Sequence, residues 1–308
     1  MSTGKTATES YPRIRTSLTP DHVAICVMVG LMAIVLVWNA SAKLLWTPPL
    51  PLLLAIPLGL LCAAGCYRAW RPAEAKIIQI LLYVALWLIF PIFGTQLTYL
   101  GAALAFPLRD HALASADAAL GFRWDEWARF MLARPLLLKA ELFAYRSYFY
   151  QPMLAIPIFA FFGKTTDNAQ LFLATFGTFV VAAAIHTVLP AIGPGEKFDV
   201  HAQWEPVIAA LRAGHLTRLP YMGIVTFPSF HAAMAVLFTL AFRSVPRAAA
   251  AAAVLNLLML LSIPFCGDHY LVDEIAGVAI AVCVWIAIAA ALTPAGAVLP
   301  KRSLRLAA

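Results

Sequence analysis

The sequence predicts an all-α integral membrane protein, a polytopic bundle of about eight transmembrane helices, and three observations carry that expectation. First, 62% of the 308 residues are hydrophobic and 12% are charged, with a mean hydropathy of +0.83. A water-soluble domain coats its surface with about 25% charged residues, and this chain has too few to do so. Second, the apolar residues fall in continuous runs close to the ~20 residues that a helix needs to cross hydrocarbon. Third, Lys and Arg concentrate in alternate connections between those runs, the bias that orients helices in a bilayer. The same bias explains the net charge of +7, which in a soluble protein would point to nucleic acid. No RNA-binding signature is present, and no nucleic-acid partner is expected.

The runs lie at roughly 22–41, 45–67, 77–104, 138–162, 168–190, 229–245, 248–265 and 270–293. The first follows a polar lead with Lys5, Arg13 and Arg15, and ends at Ala40-Ser41-Ala42, which has the form of a signal-peptidase site. Both the lead and the run are longer than a signal peptide uses, so this segment is read as a retained helix. Prolines at 48, 49, 51, 57, 91, 152 and 157 should kink or break several runs, which packed neighbours make tolerable in lipid. The 107–137 connection mixes charges with Phe122, Trp124 and Trp127, a pattern suited to helices lying along the interface. The expected organisation is an N-terminal tail over 1–21, two additional helices over 22–76, a six-helix unit over 77–293 and a basic tail over 294–308. Cys26, Cys62, Cys66, Cys266 and Cys283 form no CxxC pair and read as small buried hydrophobes rather than ligands.

Placing the N-terminus in the cytoplasm puts Arg68, Arg71, Lys76, Lys164, Arg243, Arg247, Lys301, Arg302 and Arg305 inside, as the positive-inside rule asks. The cation-free loop "CGDHYLVDE" then falls outside. So do two segments that break the rule, 107–137 and 191–228, the second holding Lys197, Arg212 and Arg218. Cations kept on that side suggest an anionic ligand there.

Two polar stretches meet the same outer side. "FPSFHAA", residues 227–233, opens the sixth run, and "GDHYLVDE", residues 267–274, opens the eighth. His269 and Asp273 are four apart, so on a helix they share a face. A carboxylate there can accept from the near imidazole nitrogen and leave the far one as a free electron pair. With His231 brought alongside, the group could attack and then protonate, as a nucleophile with its base and orienter does. Taken singly, a boundary histidine is an interface residue and an HxxxD pair is a helix-end hydrogen bond. The combination is harder to dismiss. Ser229 and Phe230 open their helix, where free backbone N–H groups and the positive dipole end make a ready site for phosphate, and the Ser229 hydroxyl can add a donor.

"FPSFHAA", followed 38 residues after His231 by "HYLVD", resembles motifs two and three of the type 2 phosphatidic acid phosphatase superfamily, Pro-Ser-Gly-His and Ser-Arg-x5-His-x3-Asp. The likeness is good over 225–277. It implies a six-helix catalytic core, with His269 as the nucleophile that forms a phosphohistidine, Asp273 orienting it and His231 protonating the leaving oxygen. It also implies a lipid phosphate or phospholipid substrate, no metal and no cofactor. The departures carry information. Phe230 stands where motif two has Gly, and Ile263 where motif three has Arg, although Ser262 matches. Motif one, Lys-x6-Arg-Pro, is missing: Arg71-Pro72 has Ala64 at the Lys position, and Arg134-Pro135 has Trp127. The bulky residue in "PSFH", the "HYLVD" motif without its Arg and the upstream "LPAIGPGEKFD" are similar to the inositol phosphorylceramide synthase branch, whose members transfer a phosphorylated head group between lipids.

The missing cations leave phosphate charge to be neutralised. Lys197, Arg218 and Arg146 are the candidates. Arg146 lies inside a predicted span, where an ionised side chain is a functional candidate by default, although it can also snorkel to the surface. His186 reads as a supporting group behind the site or a satisfied helix histidine, and Arg134, Arg212 and His215 as solvated interface residues. The expectation is therefore an inner-membrane enzyme with an extracytoplasmic active site, acting on lipid-linked phosphoesters as an inositolphosphotransferase-like transferase or as a lipid phosphate phosphatase. A transporter would spread polar groups over the midplane of several helices, and these cluster at one end. A non-catalytic module would not need all three chemical residues.

Overall fold

The structure, a computed structural model, describes residues 19–44, 48–195, 204–214 and 222–293. Among these residues there is no strand. Twelve α-helices follow in order: α1 Pro20–Ala42, α2 Leu50–Trp70, α3 Ala75–Ala102, α4 Asp110–Ala119, α5 Trp124–Leu132, α6 Pro135–Arg146, α7 Gln151–Phe161, α8 Thr165–Val188, α9 Glu205–Arg212, α10 Phe230–Phe242, α11 Pro246–Cys266 and α12 Leu271–Leu292. Six of them, α1, α2, α3, α8, α11 and α12, are long and apolar enough to cross a membrane, whereas α7 and α10 are apolar but shorter. An integral membrane protein is the result.

Local sequence explains where these helices begin and break. Pro20, Pro135 and Pro246 each sit at a helix start, where the missing N–H costs nothing and φ is already helical. The run expected as one span over 138–162 is instead two helices, α6 and α7, joined through a 3₁₀ turn at Ser147–Phe149. Pro152 is the cause, because its ring crowds the carbonyl four residues back, at Tyr148, and removes a donor from the ladder. Pro57 and Pro91 stay inside α2 and α3. The 107–137 connection forms α4 and α5, both at the end of the bundle where α10 and α12 begin.

α3 is the axis of the bundle, packing against α1, α2, α7 and α8. α10 is enclosed by α8, α11 and α12, and α6 lies along α11. The central core is aromatic: Trp87 and Phe90 of α3 meet Phe172 of α8 edge to face, and Phe90 meets Phe179 at 5.1 Å between ring centroids. α1 is fastened to α3 by Tyr83, which donates to Asp21, and by Gln96, which donates to Asn39. α2 packs on α3 and leaves most of its surface outward. Four cysteines, Cys26, Cys62, Cys66 and Cys283, are exposed rather than buried. They lie on outward apolar faces of α1, α2 and α12, which a bilayer covers and the protein core does not.

Candidate active site

α10 and α12 begin side by side. The Ser229 N–H donates to the Asp273 carbonyl at 2.9 Å, and the Ser229 hydroxyl accepts from Ala232 N at 3.3 Å, capping α10. The helices come this close because residue 277 is Gly: a Cβ there would run into the Ser229 carbonyl oxygen. His231, His269 and Asp273, from two motifs far apart in the chain, are thus brought to one end of the bundle.

His269 Nδ1 lies 3.3 Å from Asp273 Oδ2, with both side chains buried. The same oxygen accepts the Tyr270 N–H at 3.0 Å, so the carboxylate is held from two sides. His269 N–H donates to the Pro264 carbonyl, a group that also receives the Trp124 indole at 2.7 Å. His231 packs against Tyr145. The two rings stack at 4.2 Å and 15°, and the Tyr145 hydroxyl is 3.4 Å from His231 Nδ1. Tyr148 closes over the same imidazole at 4.8 Å, tilted by 50°. Gly267 is at the centre of this group, since a Cβ there would stand 2.7 Å from His269 Cδ2 and 3.0 Å from Tyr145 Cε2. His231 and His269 are near enough to act on each other electrostatically.

α4 ties this end together. Asp117 accepts from Leu271 N at 2.8 Å and Val272 N at 3.0 Å, capping the start of α12 from another helix. Two turns earlier on the same face, Asp110 accepts from Ile192 N and Gly193 N, both at 2.9 Å, and from the Tyr270 hydroxyl at 3.3 Å. Burial pushes the Asp117 carboxyl above its ordinary value, and the Leu271 and Val272 N–H groups oppose that shift. Asp268, with φ of 55° and fully buried, is pushed up to about 8 by burial; the Gly195 N–H opposes this, and Asp110 and Asp273 add to it.

The other expected residues divide clearly. Phe230 turns away from His231 into the aromatic core, against Phe90, Phe179 and Tyr148. Arg146 is exposed at the end of α6, beside Tyr145 in sequence and close enough to Cys266 to act on it electrostatically. Ile263 and Ser262 are buried on α11. Lys197, Arg218, His215 and the basic tail lie outside the described residues. His186 is buried on α8 with neither ring nitrogen hydrogen-bonded among the described residues. Arg212 donates to the Phe106 carbonyl, and Arg134 lies over the Phe130 ring.

Sequence reasoning missed Tyr145, Tyr148, Asp110, Asp117 and Asp268. Faint signals were present: Tyr145 and Tyr148 are three apart, and Asp110 and Asp117 seven apart, spacings that put each pair on one helix face.

The fold is that of an all-helical integral membrane protein. A family model described as the PAP2 superfamily matches residues 111–287, more than half of the chain, from α4 into α12, and the chain belongs to that superfamily. That superfamily generally comprises phosphatases and phosphotransferases, and membership points to lipid phosphates as substrates. No curated protein and no solved structure matched the chain significantly.

Proposed function

We propose that the protein transfers a phosphorylated head group between lipids, in the manner of an inositolphosphotransferase, at the extracytoplasmic face of the plasma membrane. The observation that supports it is the convergence of the His269–Asp273 dyad and His231 at the shared start of α10 and α12. With its Nδ1–H donated to Asp273, His269 presents the Nε2 electron pair to phosphorus. As the N–P bond forms, the donor's P–O bond breaks and His231 gives its Nε2 proton to the leaving oxygen. The acceptor hydroxyl then attacks phosphorus, its proton passes back to His231, and the P–N bond breaks. Ser229, the backbone N–H groups at Phe230, Arg146, Lys197 and Arg218 are assigned to the phosphate charge.

The 13 residues of α10 reach about 20 Å, less than the ~30 Å of hydrocarbon. Reading α10 as a short crossing, and α6 with α7 as one broken crossing, gives eight spans, with α1 and α2 added to a six-span core. It also sets His231 below the membrane surface, where a lipid head group can reach it from the side. Phe230 and Ile263 in place of the superfamily's Gly and Arg favour the transferase. Superfamily membership alone equally fits a lipid phosphate phosphatase, with water as acceptor.

The test incubates protein in nanodiscs with head-group donors and hydroxyl-bearing lipid acceptors, then separates products by mass. A new phosphodiester lipid is expected. Free phosphate as the sole product supports the phosphatase, and no product from either class of substrate contradicts both.

A further inference from the structure

We propose that the elbow between α2 and α3 binds a phospholipid whose phosphate carries a primary ammonium, as an ethanolamine head group does. The 28 residues of α3 separate this elbow from the histidine end, a distance of about 40 Å. The elbow also precedes residues 111–287, which the family model matches. A cavity of about 530 Å³ opens there, within the size range of small-molecule sites.

The lining of the cavity changes along α2 in the order of a phospholipid's own parts. Arg71 and Glu74 stand in the turn that joins the helices, Tyr67 and Trp70 close α2, and Ala63 and Cys66 lie a turn further in. Tyr and Trp settle at the depth of lipid head groups, and Trp70 is 81% exposed. Gly59 continues the same helix face one turn beyond Ala63, and nothing lies within 4 Å of a Cβ built there. These small residues leave a trough in which an acyl chain can lie.

The charges at the mouth select the head group. The Glu74 N–H donates to the Arg71 carbonyl at 2.9 Å, so the two residues are neighbours, and both are exposed. Among the described residues neither side chain has an ion-pair or hydrogen-bond partner. Opposite charges set side by side, and not engaged with each other, complement a head group that carries both signs. The Arg71 guanidinium can take two phosphate oxygens at once, while the Glu74 carboxylate accepts from the ammonium. A choline head group has no N–H to give Glu74, and a glycerol head group brings it no cation.

The test is native mass spectrometry of the full chain in mild detergent. The chain is offered equal amounts of phosphatidylethanolamine, phosphatidylcholine and phosphatidylglycerol with identical acyl chains. The wild type should retain the ethanolamine lipid about fivefold over each of the others, the upper scale of an exposed ion pair. Glu74→Gln should abolish that preference, and Arg71→Gln should lower retention of all three lipids. Both side chains are exposed, so both variants should unfold at the wild-type temperature. Equal retention by the wild type, or an ethanolamine preference that survives in Glu74→Gln, would overturn the proposal. A choline preference would overturn it in favour of the Tyr67 and Trp70 rings as the cation's partners, and a glycerol preference in favour of an anionic-lipid site.

Discussion

Gly277→Ala adds one methyl group where the structure has least room for it. The new Cβ would collide with the Ser229 carbonyl oxygen and stand 3.1 Å from the carbonyl carbon and 3.4 Å from Ala232 Cβ. Carbon atoms pack comfortably at about 3.5–4.0 Å, and the obstacle is backbone rather than a mobile side-chain tip, so α10 and α12 must part by about 1 Å. That parting strains the Ser229 N–H to Asp273 carbonyl bond and moves His231 away from His269. Overpacking of this kind costs about 1–3 kcal/mol of stability. A misplacement of about 1 Å between reacting groups costs on the order of 10²-fold in rate. The assay is phosphoester turnover in nanodiscs alongside thermal unfolding, with Gly59→Ala and Gly65→Ala as controls, because nothing lies within 4 Å of a Cβ at either position. Gly277→Ala with the turnover and melting temperature of the controls would refute the claim that this contact sets the spacing of the two histidines.

Asp117→Ala should cost about 1–2 kcal/mol, the scale of a lost helix cap, and hydrogen exchange at the Leu271 and Val272 amides should speed up; unchanged protection contradicts the cap. Asp268 gives a pH signature. Its folded-state value of about 8 lies above the ordinary 3.8, so its stability contribution is complete below about pH 4 and is lost as pH rises towards 8. Asn tolerates a positive φ and keeps an acceptor for Gly195, so Asp268→Asn should fold and its thermal unfolding should fall less between pH 5 and 8; a wild-type slope in the variant contradicts the assignment. Orientation is tested with single cysteines in a cysteine-free chain. Ala119→Cys, at the histidine end, should react with an impermeant reagent on intact cells and Ala73→Cys should not, and the reverse pattern places the chemistry in the cytoplasm.

What could be read in advance was local. His269 and Asp273 are one helical turn apart, and "PSFH" opens a helix by its own capping chemistry, so residues 229–231, 269 and 273 stand out without tertiary information. The membrane class followed from runs whose length is a property of single segments. What could not be read was distant in the chain. Tyr145 meets His231 across 86 residues, and Asp117 caps Leu271 across 154; neither pairing leaves a pattern within any window of sequence. The division of 138–162 was half visible: Pro152 announced a break, but not that the broken end would bring Tyr145 and Tyr148 to the site. Phe230 was placed at the phosphate by its neighbours in the motif, whereas its ring belongs to the aromatic core.

The central claim is that His269 carries the phosphorus during turnover. Enzyme reacted with a ³²P-labelled donor and quenched should hold acid-labile label in the wild type and none in His269→Ala. His231→Ala should still trap label from an aryl ester, which leaves without a proton. Label on His269→Ala, and none on His231→Ala, would contradict the account.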